Sequence, residues 1–179
     1  MGTHPPKRTT IRRRTPQHTS SAKEVEVPMH CSKTANGSTQ LDTGGLGPCI
    51  AVGIIYRNRS FLFHSPDLIV EKEIVTDPFF KLLDKYIPTS ERETIRPVIA
   101  AGGTGMYDDS ELDSPIDEEI LNARDQIKKR LREAGFKTIR AFWAEKGDSQ
   151  SLRLDIKNKK AILEIDSPGS EKKRRCLLF

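Results

Sequence analysis

The chain's longest apolar stretch is Cys49–Tyr56, Cys-Ile-Ala-Val-Gly-Ile-Ile-Tyr. A short run without alternation fits a strand buried on both faces. Arg57-Asn58-Arg59 breaks it, and Ser60–His64 (Ser-Phe-Leu-Phe-His) reads as a second strand. Together they predict a β-hairpin. A hairpin brings its open ends together, so Cys49 and His64 fall at the same end, with the register left open. Upstream, Glu24–Pro28 alternates as a strand does, and Ala35-Asn36-Gly37-Ser38 is a turn.

Asp77–Tyr86 begins with a capping residue followed by Pro78 and reads as a short amphipathic helix. Arg96–Ala101 is an apolar strand ending at Gly102-Gly103. Ser114–Ala134 carries the clearest helical stripe: Ile116, Ile120, Ala123, Ile127, Leu131 and Ala134. Ser114 can cap it, Asp117 and Glu118 suit its positive end, and Gly135 stops it. Thr138–Ala144, Leu152–Ile156 and Ala161–Ile165 are strands, and nothing periodic follows Pro168-Gly169. The order predicts a single α+β domain over residues 24–166, with mixed sheets flanked by helices. About 140 residues can bury a core of their own.

Composition qualifies this picture at the ends. Hydrophobic residues make up 35% of the 179 and aromatics 6%, low for a wholly globular chain. The net charge of +5 is concentrated terminally. Lys7, Arg8, Arg12, Arg13, Arg14 and Lys23 all precede the first acid, Glu24, and Lys172–Arg175 is wholly basic. Residues 1–23 are therefore read as a disordered basic tail, and 167–179 as a flexible polybasic one. The first tail also has the composition of an organelle transit peptide, although its prolines and like charges favour disorder. It lacks interleaved aromatics, which argues against base stacking on nucleic acid. There is no signal-peptide core and no apolar run of membrane-spanning length. Three cysteines, Cys31, Cys49 and Cys176, make no disulfide framework and suit a reducing compartment.

The candidate chemistry centres on Thr43-Gly-Gly-Leu-Gly-Pro-Cys49. A catalytic cysteine needs a partner to take its proton, and only His64 lies at the end of a neighbouring strand. His4 and His18 fall in the tail and His30 in a loop. Glycines before the cysteine let the backbone bend and present N–H groups to an oxyanion. From spacing alone a plainer reading stays open, with Cys49 a small buried apolar residue.

The segment Thr43–Val52 resembles the Thr-x-Gly-Leu-Gly-x-Cys-Val-Ala-Val motif of the chemotaxis-receptor deamidases called CheD. Glu24–Met29, Phe63-His64-Ser65-Pro66, Ala100–Met106, Ile116–Arg124 and Leu152–Ile165 resemble further parts of that family, in order. The wider superfamily includes bacterial toxins that deamidate host glutamines. The resemblance implies a CheD-like β-sandwich and a cofactor-free, metal-free, monomeric protein-glutamine deamidase acting on a protein partner. It also implies Cys49 as nucleophile, His64 as general base and acid, Thr43 as a supporting hydroxyl, and Gly45 and Gly47 in the turn that meets the oxyanion. Pro48 in place of the family's usual Ser, and Ser65-Pro66-Asp67 after His64, bear on substrate more than on chemistry. A catalytically silent binding module and an N-terminal asparagine amidohydrolase are the alternatives.

Cys176-Leu-Leu-Phe179, behind Lys172, Lys173, Arg174 and Arg175, fits a prenylation signal with a basic run, with Phe pointing to geranylgeranyl. This adds a host prenyltransferase and an anionic membrane surface as expected partners. The combined expectation is an effector secreted into a eukaryotic host and held at its membranes. A cytoplasmic protein is the alternative.

Overall fold

A computed structural model describes residues 23–66, 69–70, 73–74, 77–102, 115–145 and 147–179. The expected N-terminal tail, the Ser114 cap and part of the Ala100–Met106 segment lie outside the described residues.

The first strands are β1 (Glu24–Glu26), β2 (Cys31–Asn36) and β3 (Gln40–Asp42). The predicted hairpin follows as β4 (Ile50–Tyr56) and β5 (Arg59–Ser65). A small hairpin, β6 (Ile69–Val70) and β7 (Glu73–Ile74), leads to α1 (Asp77–Tyr86) and α2 (Thr89–Arg92). Then come β8 (Val98–Gly102), α3 (Pro115–Glu133) and β9 (Ile139–Trp143). The chain finishes with β10 (Ser149–Asp155), β11 (Lys160–Asp166) and β12 (Lys173–Leu178).

Two five-stranded sheets result. The first is ordered β1-β3-β10-β11-β12 and the second β2-β5-β4-β8-β9. Both are mixed, because β1 runs parallel to β3 and β8 parallel to β9. The α+β expectation holds. The second sheet is central and buries both faces, which is why β4 reads as continuous apolar sequence. Ile50, Val52, Ile54, Phe61 and Phe63 pack against Phe79, Leu83, Ile127 and Leu131 of α1 and α3. The Phe63 and Phe79 rings stack at 5.3 Å. On the opposite face Ala51, Leu62 and Ile99 meet Leu41, Leu152, Leu154 and Leu163 of the first sheet. Each such large apolar side chain contributes about 1.5–3 kcal/mol on burial.

The expectation of a flexible 167–179 segment is corrected at its end. Residues 173–178 form β12, paired antiparallel to β11 from Ile165↔Lys173 to Lys160↔Leu178. The Phe179 N–H continues the ladder to the Lys159 carbonyl at 2.9 Å. Leu177 and Phe179 pack on the core between the sheets, while Glu164 pairs with Lys172 at 3.2 Å and Arg174 at 3.8 Å. Those contacts hold a sequence whose charge otherwise favours solvent.

Candidate active site

The β4–β5 register relates Cys49 to His64. Ala51 lies opposite His64, and Cys49 is two residues before Ala51. Side chains two apart share a face, and Cys49 and Ala51 both join the core between the sheets. Cys49 and His64 are thus diagonal neighbours, a relation that separates backbones by about 7–8 Å and leaves a long ring within reach. Cys31 of β2 lies opposite His64 on its other side. Both candidate residues are buried, Cys49 at 5% exposure and His64 at 3%.

The imidazole is fixed in one tautomer. Its Nδ1 lies 3.0 Å from the carbonyl oxygen of Val27. A carbonyl only accepts, so Nδ1 carries the proton and Nε2 offers a lone pair. Among the described residues Nε2 has no hydrogen-bond partner although it is fully buried. Burial pushes the His64 pKa below its ordinary value, against the Val27 bond and the charge of Glu26, and His30 adds to the lowering. The ring is therefore neutral at neutral pH and able to accept a proton.

Residues 43–49 are set by hydrogen bonds to β10. Thr43 is buried, and its hydroxyl accepts the Leu152 N–H at 2.9 Å while donating to the Gly44 carbonyl at 2.9 Å. Its hydroxyl is thus committed to the backbone of the turn and holds it in place. Gly44 N–H is taken by Asp42 Oδ1 at 2.7 Å, Leu46 N–H by the Gln150 carbonyl at 2.6 Å, and Cys49 N–H by the Leu46 carbonyl at 2.6 Å. Among the described residues no hydrogen bond engages the N–H of Gly45 or Gly47. These are the two amides the turn can offer to a ligand. Gly47 sits at φ +42° and Gly44 at φ +65°, where a side chain is disfavoured.

Gly102, at the end of β8, backs the cysteine. A Cβ there would fall 2.1 Å from the Cys49 carbonyl oxygen, and the residue adopts φ +88°. Only glycine allows this approach. Over the thiol lies Met29, whose Sδ is 3.5 Å from Cys49 Sγ. Thr43, Gly45, Gly47 and Cys49 thus lie along one turn, and the β4–β5 register sets His64 diagonal to Cys49. The Val27 carbonyl and Met29 join these residues without having been expected, since neither a main-chain oxygen nor a surface methionine has a sequence signature.

A groove of about 440 Å³ opens elsewhere, lined by Glu24, Glu26, Asp42, Arg153 and Glu164 among others. It borders Gly44 and Gly45 but includes neither Cys49 nor His64. Several of its charges are paired: Arg153 with Asp42 at 2.7 Å and Glu24 at 3.5 Å, and Lys172 with Glu164. It reads as a solvated sheet face, not as the seat of the cysteine chemistry. No cluster of three or more His, Cys, Asp or Glu suited to a metal ion occurs among the described residues.

Compared with known proteins, the chain matches no family model and no curated sequence.

Proposed function

We propose that this chain is a cysteine-dependent protein-glutamine deamidase. The single observation that carries the reading is the His64 ring. One nitrogen is oriented by the Val27 carbonyl and the other is buried without a partner, on the sheet face that bears Cys49. An unpartnered buried acceptor costs free energy and is retained most readily where a reaction uses it. That favours an enzyme over a silent binding module.

In this mechanism the Cys49 thiol passes its proton to His64 Nε2 and the thiolate attacks the glutamine carboxamide carbon. The amides of Gly45 and Gly47 receive the developing oxyanion. The tetrahedral adduct collapses to a thioester, and ammonia leaves with the proton from Nε2. Water then attacks the thioester, giving its proton to Nε2. Glutamate departs as the sulfur recovers that proton. Thr43 acts by positioning the turn.

The same reading takes the chain to be a secreted effector, held at a host membrane by a geranylgeranyl group on Cys176. In support, Cys176 is exposed and Leu178 is 74% exposed beside it. Each base of Lys172–Arg175 near an anionic leaflet adds roughly 1 kcal/mol. Among the described residues no helix is long and apolar enough to cross a membrane.

The test is peptide mass mapping of host lysate proteins treated with wild type and with Cys49→Ala. Amide-to-acid conversion at glutamines with the wild type alone, with matching ammonia release, is the expected result. Equal conversion by both proteins overturns the reading.

A further inference from the structure

Met29 occupies an unusual position for a large apolar side chain. It is 54% exposed, yet its sulfur lies 3.5 Å from the sulfur of Cys49, a residue only 5% exposed. It sits in the turn between β1 and β2, next to His30, which adopts φ +62°. The turn is anchored on both sides: Val27 N–H bonds the Asp42 carbonyl at 2.7 Å, and Cys31 N–H bonds the Pro28 carbonyl at 3.2 Å. The segment that orients His64 through Val27 therefore also places a thioether over the thiol.

A thioether has lone pairs but no proton to give, so in this contact the Cys49 S–H is the donor. Any carboxamide that reaches Cys49 must take up the space near this contact. Met is unbranched and has three side-chain torsions, so it can swing aside without moving the anchored backbone. Once displaced, its methylenes and sulfur remain beside the entering side chain, where an apolar surface suits the two methylenes of glutamine.

We infer that Met29 is the cover of the Cys49 thiol, displaced by an incoming glutamine side chain and then packed against it as a specificity residue. The inference rests on the deamidase reading for its substrate and on the sulfur–sulfur contact for its cover. Displacement removes Met29 as an acceptor of the S–H, and the proton can then pass to His64 Nε2. The resting site is thereby closed, and substrate opens it.

The experiment uses the full chain and follows iodoacetamide labelling of each cysteine by peptide mapping near neutral pH. Met29→Ala is expected to label at Cys49 about tenfold faster than wild type, as removal of a local barrier to access would do. Met29→Leu, which keeps the bulk, should stay near the wild-type rate, and Cys176 should label equally in all three. Circular dichroism confirms the fold, which an exposed side chain should not disturb. Equal Cys49 rates in wild type and Met29→Ala, or a Met29→Leu rate matching Met29→Ala, would overturn the cover. With a glutamine peptide, Met29→Ala should raise KM several-fold with kcat little changed. An unchanged KM would overturn the specificity role. If the wild type turns over no glutamine substrate, the deamidase reading falls, and the labelling order still decides the cover.

Discussion

Gln150 and Gly102 join the two sheets beside Cys49: the Gln150 carboxamide oxygen accepts the Gly102 N–H at 2.8 Å. Gln150 is buried, at 3% exposure. Since Gly102 abuts the Cys49 carbonyl, this bond sets where the backbone of Cys49 rests. Gln150→Leu leaves a buried N–H without an acceptor and should cost about 1–3 kcal/mol in urea unfolding. Turnover should fall more than in a surface variant of equal stability. A Gln150→Leu protein of wild-type stability would show that the bond is dispensable.

Thr43 is expected to act through geometry. Thr43→Val keeps the shape but strands the Leu152 N–H, for a loss of about 1–3 kcal/mol. Thr43→Ser keeps the hydroxyl and should recover most of the stability and activity. Chemical denaturation of the three proteins checks this, and Val matching wild type would remove the hydroxyl from the account.

His64 predicts an acid limb. Its folded pKa lies below the ordinary value near 6.5, because burial opposes the charge. The unfolded chain thus binds the proton more readily than the folded one. Stability attributable to His64 is full above the unfolded value, and it is lost as pH falls from there through the folded value. Activity, which needs the neutral ring, should hold to below the ordinary histidine range and then drop. Proton NMR titration of the ring with unfolding at several pH values tests both. A folded pKa above 6.5 would refute the burial argument.

Arg92 is the buried cation that ties the helices. At 4% exposure it donates to Asp84 at 2.6 Å, to the Ile87 carbonyl at 3.2 and 3.0 Å, and to the Ala134 carbonyl at 3.2 Å. Asp84 is largely exposed, so Asp84→Asn should cost under about 1 kcal/mol. Arg92→Leu strands two carbonyls and should cost about 2–3 kcal/mol by thermal or urea unfolding. Equal losses would place the effect in the ion pair instead.

For the C-terminal segment, wild type expressed in eukaryotic cells should sediment with membranes, and Cys176→Ser should not. Any enzyme that alkylates Cys176 meets it paired opposite Ile162, so the end of β12 must first leave β11. Glu164→Lys, which removes the ion pairs to Lys172 and Arg174 and so weakens that pairing, should not reduce lipidation of Cys176. Mass spectrometry of the C-terminal peptide measures this, and an unmodified wild-type peptide would end the membrane proposal.

The elements that the sequence announced are those whose burial follows a period. β4, β5, α1 and α3 lie within a residue or two of the expected ranges, because one apolar pattern placed each against the core. β2 and β3 were missed. Cys31–Asn36 is a polar edge strand, and Gln40–Asp42 is only three residues long. β12 carries no strand signal, since Lys173-Arg174-Arg175 has no apolar alternation and charge on an edge strand also guards against unwanted pairing. At the site, the spacing of Thr43, Cys49 and His64 was legible. The hairpin register that sets His64 diagonal to Cys49 was not.

The Val27 carbonyl that steadies His64 has one more consequence. In a three-membered catalytic array the orienting group is commonly a carboxylate or carboxamide side chain, which one substitution deletes. On the deamidase reading that office falls to a peptide oxygen, present whatever amino acid occupies position 27. Point variation cannot erase it and a scan of alanine variants will not find it. The site's vulnerability passes instead to the path of the chain through Pro28 and His30, where an insertion or deletion would silence the histidine while leaving every reactive side chain in place.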